Sequence, residues 1–282
     1  MTVQLILNGL VLGATIALMA IGFTLIFGIL RIVNFWHGEA YMFGGVIVYY
    51  LAASLGMPYV GALVIAIVAI GLLGWISDRL VFRRFRGNMM GGVIAGIALS
   101  LGFQNMMWFV YGPRPRAVPS VITGNVEILG VSVSAERLLV VAISIAIILL
   151  LAWVIRNTKL GKAMRAVQQD SEAALTMGIN VNGICGLTFG IATGLAALAG
   201  GLVAPLYSVT PIMGVGPLLL AFIVVILGGL GSVMGAFVAS IIIGLQQSFT
   251  SAYWGGEYAV AVSFGLAIVV LIIRPTGLFG HD

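Results

Sequence analysis

The chain has 282 residues, of which 61% are hydrophobic and only 7% charged, with a formal net charge of +5. So little polar surface cannot cover a water-soluble globule of this size, so the chain is read as an integral membrane protein. Apolar runs long enough to cross ~30 Å of hydrocarbon recur throughout, which predicts an all-α polytopic bundle forming one domain over 1–282 and not a barrel of ~10-residue strands. The cations gather in two loops and act as topology signals, not as a nucleic-acid footprint. The single cysteine, Cys185, excludes an internal disulfide and provides no metal-ligand spacing.

The N-terminus, MTVQ, has no basic side chain, and the apolar run continues to Leu30, so it is taken as an uncleaved first span from Leu5 to Leu30. Gly9 and Gly13 sit four apart on it and suit close helix contact. The stretch Arg31 to Glu39 interrupts the apolar pattern, which resumes from Ala40 to Leu55 and, after Met57-Pro58, from Tyr59 to Ile76. Asn34, His37 and Glu39 form the most polar constellation near the membrane. They are either pore or gate residues, or a hydrogen-bonded corner that holds a broken helix. Arg79, Arg83, Arg84 and Arg86 place the loop at 78–88 on the cytoplasmic side. Gly91 to Val110 then crosses outward, with Gly92 and Gly96 on one small-residue face.

The interval 111–137 differs in kind. Pro113, Pro115 and Pro119 precede VITGNVEILGVSVS, which predicts a small β-hairpin on the outer surface, with Ser134 as N-cap and Glu136 in the first turn of the next helix. Leu138 to Ile155 returns the chain to the second basic loop, 156–182. Arg156, Lys159, Lys162 and Arg165 come first, and a short helix follows, with Asp170 or Ser171 as N-cap, Glu172 in the first turn and Gly178 just past its end. A helix this short is unstable alone and must rest on its own bundle or on a partner.

Gly183 crosses to about Pro205 with a stripe of Ala192, Ala196, Gly200 and Ala204, and the uncharged run from Tyr207 to Gly216 is expected to be an outer loop. Leu218 to Phe249 is apolar but interrupted by Gly228, Gly229, Leu230, Gly231 and Ser232, and Tyr258 to Ile273 is the last span. This gives about nine crossings, within a range of 8–10 transmembrane or re-entrant segments, an external N-terminus, and ten of the 13 Lys and Arg on the cytoplasmic side. Gln246 and Gln247 suit hydrogen bonds between helices or an interfacial position. The interruptions at 33–39 and 228–232 occupy corresponding places in the two halves. They predict an inverted internal repeat with a translocation path between its halves, lined by Asn34, His37, Glu39, Gly228, Gly229, Gly231 and Ser232. The competing reading makes 228–232 a tight turn between antiparallel spans.

The segment Glu172-Ala173-Ala174-Leu175-Thr176-Met177-Gly178 resembles the EAA-x-x-x-G motif of permease subunits in bacterial ATP-binding-cassette importers. The run from Arg165 to about Ser240, with NVNGICGLTFGIATGLAALAGGL and VVILGGLGSVMGAFVASIIIGL, and ILRIVNFWHGEAYMFGG at Ile29 to Gly45 are similar to the branched-chain amino acid type of that family, and together these blocks cover about a third of the chain. Where the general motif continues with Ile-x-Leu-Pro, this chain reads Cys185-Gly186-Leu187-Thr188, a modified coupling region. The resemblance implies that Asp170, Ser171, Glu172, Ala173, Ala174, Leu175 and Gly178 form a coupling helix that docks on an ATPase. It also implies two ATPase subunits binding ATP-Mg, a related second permease, a soluble periplasmic binding protein, and residence in the bacterial inner membrane.

The residues agree about the energy source. No Asp, Glu, Lys, Arg or His occurs from Ala173 to Gly256, and only Glu39 and Glu257 could serve a proton path. Gly161-Lys162 lacks the upstream glycine of a phosphate-binding loop, and no hydrolase or metalloprotease motif is present. A permease for branched-chain or related amino acids, or similar small amides, is the first expectation. A secondary carrier or channel for a small uncharged or zwitterionic solute is the alternative.

Overall fold

The structure, a computed structural model, describes residues 2–128 and 130–280. Its first helix, α1, spans Thr2–Leu30; α2 spans His37–Val48 and continues as a π-helical turn over Tyr49–Ser54; α3 spans Tyr59–Leu80 and α4 Met89–Tyr111. A hairpin of β1 (Asn125–Ile128) and β2 (Val131–Ser134) leads into α5 (Ala135–Asn157). α6 (Lys159–Gln169) and α7 (Ser171–Thr176) make the basic loop, and α8 (Val181–Val203), α9 (Val215–Gly228), α10 (Val233–Tyr253) and α11 (Gly256–Ile273) complete the chain. Among the described residues seven helices are long and apolar enough to cross a membrane.

α1 and α8 are apolar on all sides and form the buried centre, as helices without a polar face must. α1 lies along α10, and α8 lies along α3. Both pairs approach backbone to backbone. A Cβ at Gly9 would come within 2.8 Å of the Leu245 Cα, and one at Gly190 within 2.9 Å of the Gly71 carbonyl oxygen. α4, α5 and α11 sit at the periphery with most of their surface open.

Two shorter helices, α2 and α9, begin inside the bundle after irregular segments. α1 ends at Arg31, whose φ of 54° is left-handed, and residues 31–36 run extended until α2 starts beside the middle of α1, where His37 Nε2 meets the Met19 carbonyl at 3.1 Å. The hairpin forms as its alternation predicts, pairing Asn125 with Ser134 and Val126 with Val133. Ser134 stands at the N-cap of α5 without a side-chain bond there. Glu136 instead turns away to accept from Ser120 Oγ at 2.9 Å and Val121 N at 3.0 Å.

The second half departs from expectation in two places. The run from Tyr207 to Gly216 is not a plain outer loop. Fully buried Val209 pairs its backbone with Arg116, and the chain then re-enters the bundle so that Gly214 abuts Gly38 at the start of α2. Pro211 and the missing side chain at Gly214 let an uncharged segment make that descent. The interruption at Gly228 to Ser232 is, conversely, a tight turn at the basic end of the bundle. Gly229 and Gly231 take φ of 101° and 84°, Ser232 Oγ caps α10 by accepting from Gly235 N at 3.1 Å, and Phe279 N donates to the Gly228 carbonyl at 3.0 Å. Gly228, Gly229, Gly231 and Ser232 therefore do not join Asn34, His37 and Glu39. The break that meets those residues is at 204–214.

Candidate functional site

The basic loop folds into a bracket that ends in a projecting tip. Thr158 Oγ1 accepts from Gly161 N at 3.1 Å to start α6. Asp170 caps α7, its Oδ1 accepting from Glu172 N at 2.9 Å and Ala173 N at 3.0 Å, so of the two candidate caps Asp170 fills the position and Ser171 is the first helical residue. Gly178, at φ 80°, ends the helix, with Gly178 N donating to the Leu175 carbonyl and Ile179 N to that of Ala174, both at 3.0 Å. Ala174 is the buried footing of α7. Ser171, Glu172 and Ala173 are exposed, and Leu175 and Met177 stand 64% and 83% exposed. Two large apolar side chains thus stand exposed beside an acidic helix start. Met177 was not among the sequence candidates, although its place one residue before the helix-ending glycine could have marked it.

A polar cluster behind the tip escaped sequence reading altogether. Asp78, buried at the end of α3, receives both Nη2 contacts of Arg86 at 2.9 and 2.6 Å, while Arg86 Nη1 donates to Asn182 Oδ1 at 2.6 Å at the start of α8. One guanidinium thus joins α3, the loop before α4 and the residues that follow the α7 tip.

Asn34, His37 and Glu39 lie together at the bundle centre and are almost completely buried. Asn34 Oδ1 accepts from Trp36 N at 3.1 Å and shapes the turn into α2. Glu39 Oε1 accepts from Ser100 Oγ on α4 at 2.9 Å. His37 and Glu39 thus tie the start of α2 to α1 and α4, while the Asn34 bond lies within the turn itself. The N-termini of α2 and α9 meet head to head across Gly38 and Gly214, so two positive helix ends face the same central region. At the opposite end of α2, the Arg116 guanidinium lies 5.3, 5.7 and 4.4 Å from the ring centroids of Tyr49, Tyr50 and Tyr111.

Residues 5–271 match the family described as "Branched-chain amino acid transport system / permease component". The chain is 34% identical to the high-affinity branched-chain amino acid transport system permease protein LivH of Escherichia coli K12, over 99% of this chain and 95% of that one. It is also 34% identical, with the same coverage, to the permease protein BraD of Pseudomonas aeruginosa. Among solved structures it resembles a chain of PsaBC from Streptococcus pneumoniae in complex with Fab, at TM-score 0.51 and 17% identity over 95% of this chain and 91% of that one, a likeness of fold alone. With a family match over nearly its whole length and relatives of this identity, the chain belongs to the permease-component family of the branched-chain amino acid transport systems.

Proposed function

We propose that this chain is the membrane half of an ATP-driven importer of branched-chain amino acids, located in the bacterial inner membrane and worked by separate ATPase subunits that dock on the α7 tip. The observation that carries the reading is that tip: Leu175 and Met177 project unburied from a firmly capped helix at the basic end. Two neighbouring apolar side chains of this size, exposed on a capped helix outside the membrane-spanning helices, suit contact with another protein. Glu172 at the helix start favours a cationic partner group there. The substrate follows from the named activity of the relatives and from the uncharged interior between Ala173 and Gly256, which suits leucine-like side chains.

We further infer an inverted repeat of α1–α4 with α8–α11, joined by α5–α7. Each half has a broken second helix beginning at mid-bundle, and α1 lies on α10 as α8 lies on α3. In this arrangement movement of the tip, passed through Asn182, Arg86 and Asp78 to α3 and α8, would rock one half against the other around the Gly38–Gly214 contact. A second permease, two ATPases and a binding protein on the side of the hairpin complete the assembly.

The test is uptake of labelled leucine into proteoliposomes holding the co-purified complex, with and without lumenal ATP and binding protein. Uptake requiring both supports the importer. Uptake driven by an ion gradient alone overturns it in favour of a secondary carrier. Glu172→Lys is expected to reduce ATPase co-purification and uptake together, and wild-type behaviour of that variant would remove α7 from the coupling role.

A further inference from the structure

We propose that the groove between α3, α5 and α8 is a binding site for an anionic phospholipid, with an acyl chain along α8 and the phosphate at Arg79 and Arg83. The groove has a volume of about 670 Å³, and its walls are apolar, among them Ile67, Leu72, Leu150, Val154 and Leu187. It extends along α8 from Leu187 to Leu198, which at ~1.5 Å per residue is roughly 17 Å, close to half of a ~30 Å hydrocarbon core and so the depth of one leaflet. Its end nearest the basic loops adjoins a second, polar basin of about 250 Å³ that contains Arg79 and Arg83. Trp75 lines both, and Gly186 in the basin precedes Leu187 in the groove.

An apolar slot of leaflet depth running into a basic basin, with an indole at the junction, has the chemical outline of a phospholipid at the interface. The charge in the basin is free to act on it. Asp78 also lies there, but Arg86 occupies both of its oxygens, and among the described residues neither Arg79 nor Arg83 forms an ion pair. The Arg79 guanidinium is already drawn over the Trp75 ring, 5.7 Å from its centroid, at the point where a phosphate would sit. A transmembrane helix of a partner could fill the slot but would leave the arginines unanswered.

The test is lipid retention by the purified complex, read by native mass spectrometry after reconstitution in nanodiscs of phosphatidylcholine and phosphatidylglycerol. Phosphatidylglycerol is expected to be retained in preference to phosphatidylcholine. Its retention should fall several-fold in Arg79→Gln/Arg83→Gln, persist in Arg79→Lys/Arg83→Lys, and fall in Leu150→Trp, which fills the groove without touching the basin. Benzoylphenylalanine incorporated at Leu150 should photolabel lipid. Retention that ignores the headgroup, retention unchanged in the glutamine or tryptophan variants, or a photo-adduct to a polypeptide would each overturn the proposal.

Discussion

Two glycines constrain this fold for opposite reasons. Gly178 has open space where a side chain would go but a φ of 80°, so the objection to substitution there is conformational and not steric. Asn, which visits the left-handed region at little cost, should be tolerated, whereas Val should destabilise the end of α7 by ~1–2 kcal/mol or more. The measurement is leucine uptake by Gly178→Asn and Gly178→Val side by side, and equal activity would show that the tip does not need that helix end. Gly214 presents the reverse case, because a Cβ there would collide with the Gly38 carbonyl. Overpacking of this kind costs about 1–3 kcal/mol, so Gly214→Ala should lower the melting temperature of the purified complex, and an unchanged melt would mean that the two helix starts can separate freely. The sequence announced Gly178, since a glycine after a short capped helix is a recognisable stop. It concealed Gly214, because nothing in an uncharged run with Pro211 distinguishes a descent into the bundle from a loop over its surface.

At the scale of elements, the Asp78–Arg86–Asn182 cluster ties the end of α3 to the start of α8, just after the α7 tip. Removing Arg86's partner leaves a charge uncompensated in a pair whose Asp78 side is buried; such a loss costs up to ~3–5 kcal/mol where both partners are buried, whereas removing both is far milder. Asp78→Asn alone should therefore disrupt assembly or stability more than Asp78→Asn combined with Arg86→Gln. Thermal unfolding of the complexes carrying Asp78→Asn, Arg86→Gln and both together checks this, and a double variant as damaged as the sum of the two singles would show that the residues act independently. Both residues are plain in the sequence, but their pairing is not, because a basic loop reads as a topology signal until its geometry shows one arginine turned back into the bundle. The same limit explains the misplaced break. Gly228 to Ser232 interrupts an apolar run as a re-entrant segment would, and only the positive φ values and the serine cap show that it reverses the chain.

For the whole molecule, α4 carries the strongest indication of which face would meet the proposed second permease. Its inner side rests on the corner through Gly92, Gly96 and the Ser100–Glu39 bond, while Ala98, Leu101, Gly102 and Asn105 are exposed along its outer side. Asn105 donates to its own Leu101 carbonyl at 2.7 Å. A Cβ at Gly102 would have no atom within 4 Å. An amide on a membrane-spanning helix is costly against lipid and is expected to face protein or water, and a glycine one turn away lets another helix approach. With Cys185 replaced by Ala, Gly102→Cys alkylated with a thiol-reactive benzophenone should photo-cross-link to the second permease in membranes, whereas Leu149→Cys labelled in the same way, on the outer side of α5, should not. Because α4 also carries the serine bonded to Glu39, a cross-link at residue 102 would put the seam between the two permeases directly beside the central corner, and the path for the solute would then run between subunits. Cross-linking at residue 149 instead would place the partner on α5, confine the path to the interior of one chain, and leave the exposed amide of Asn105 without a role.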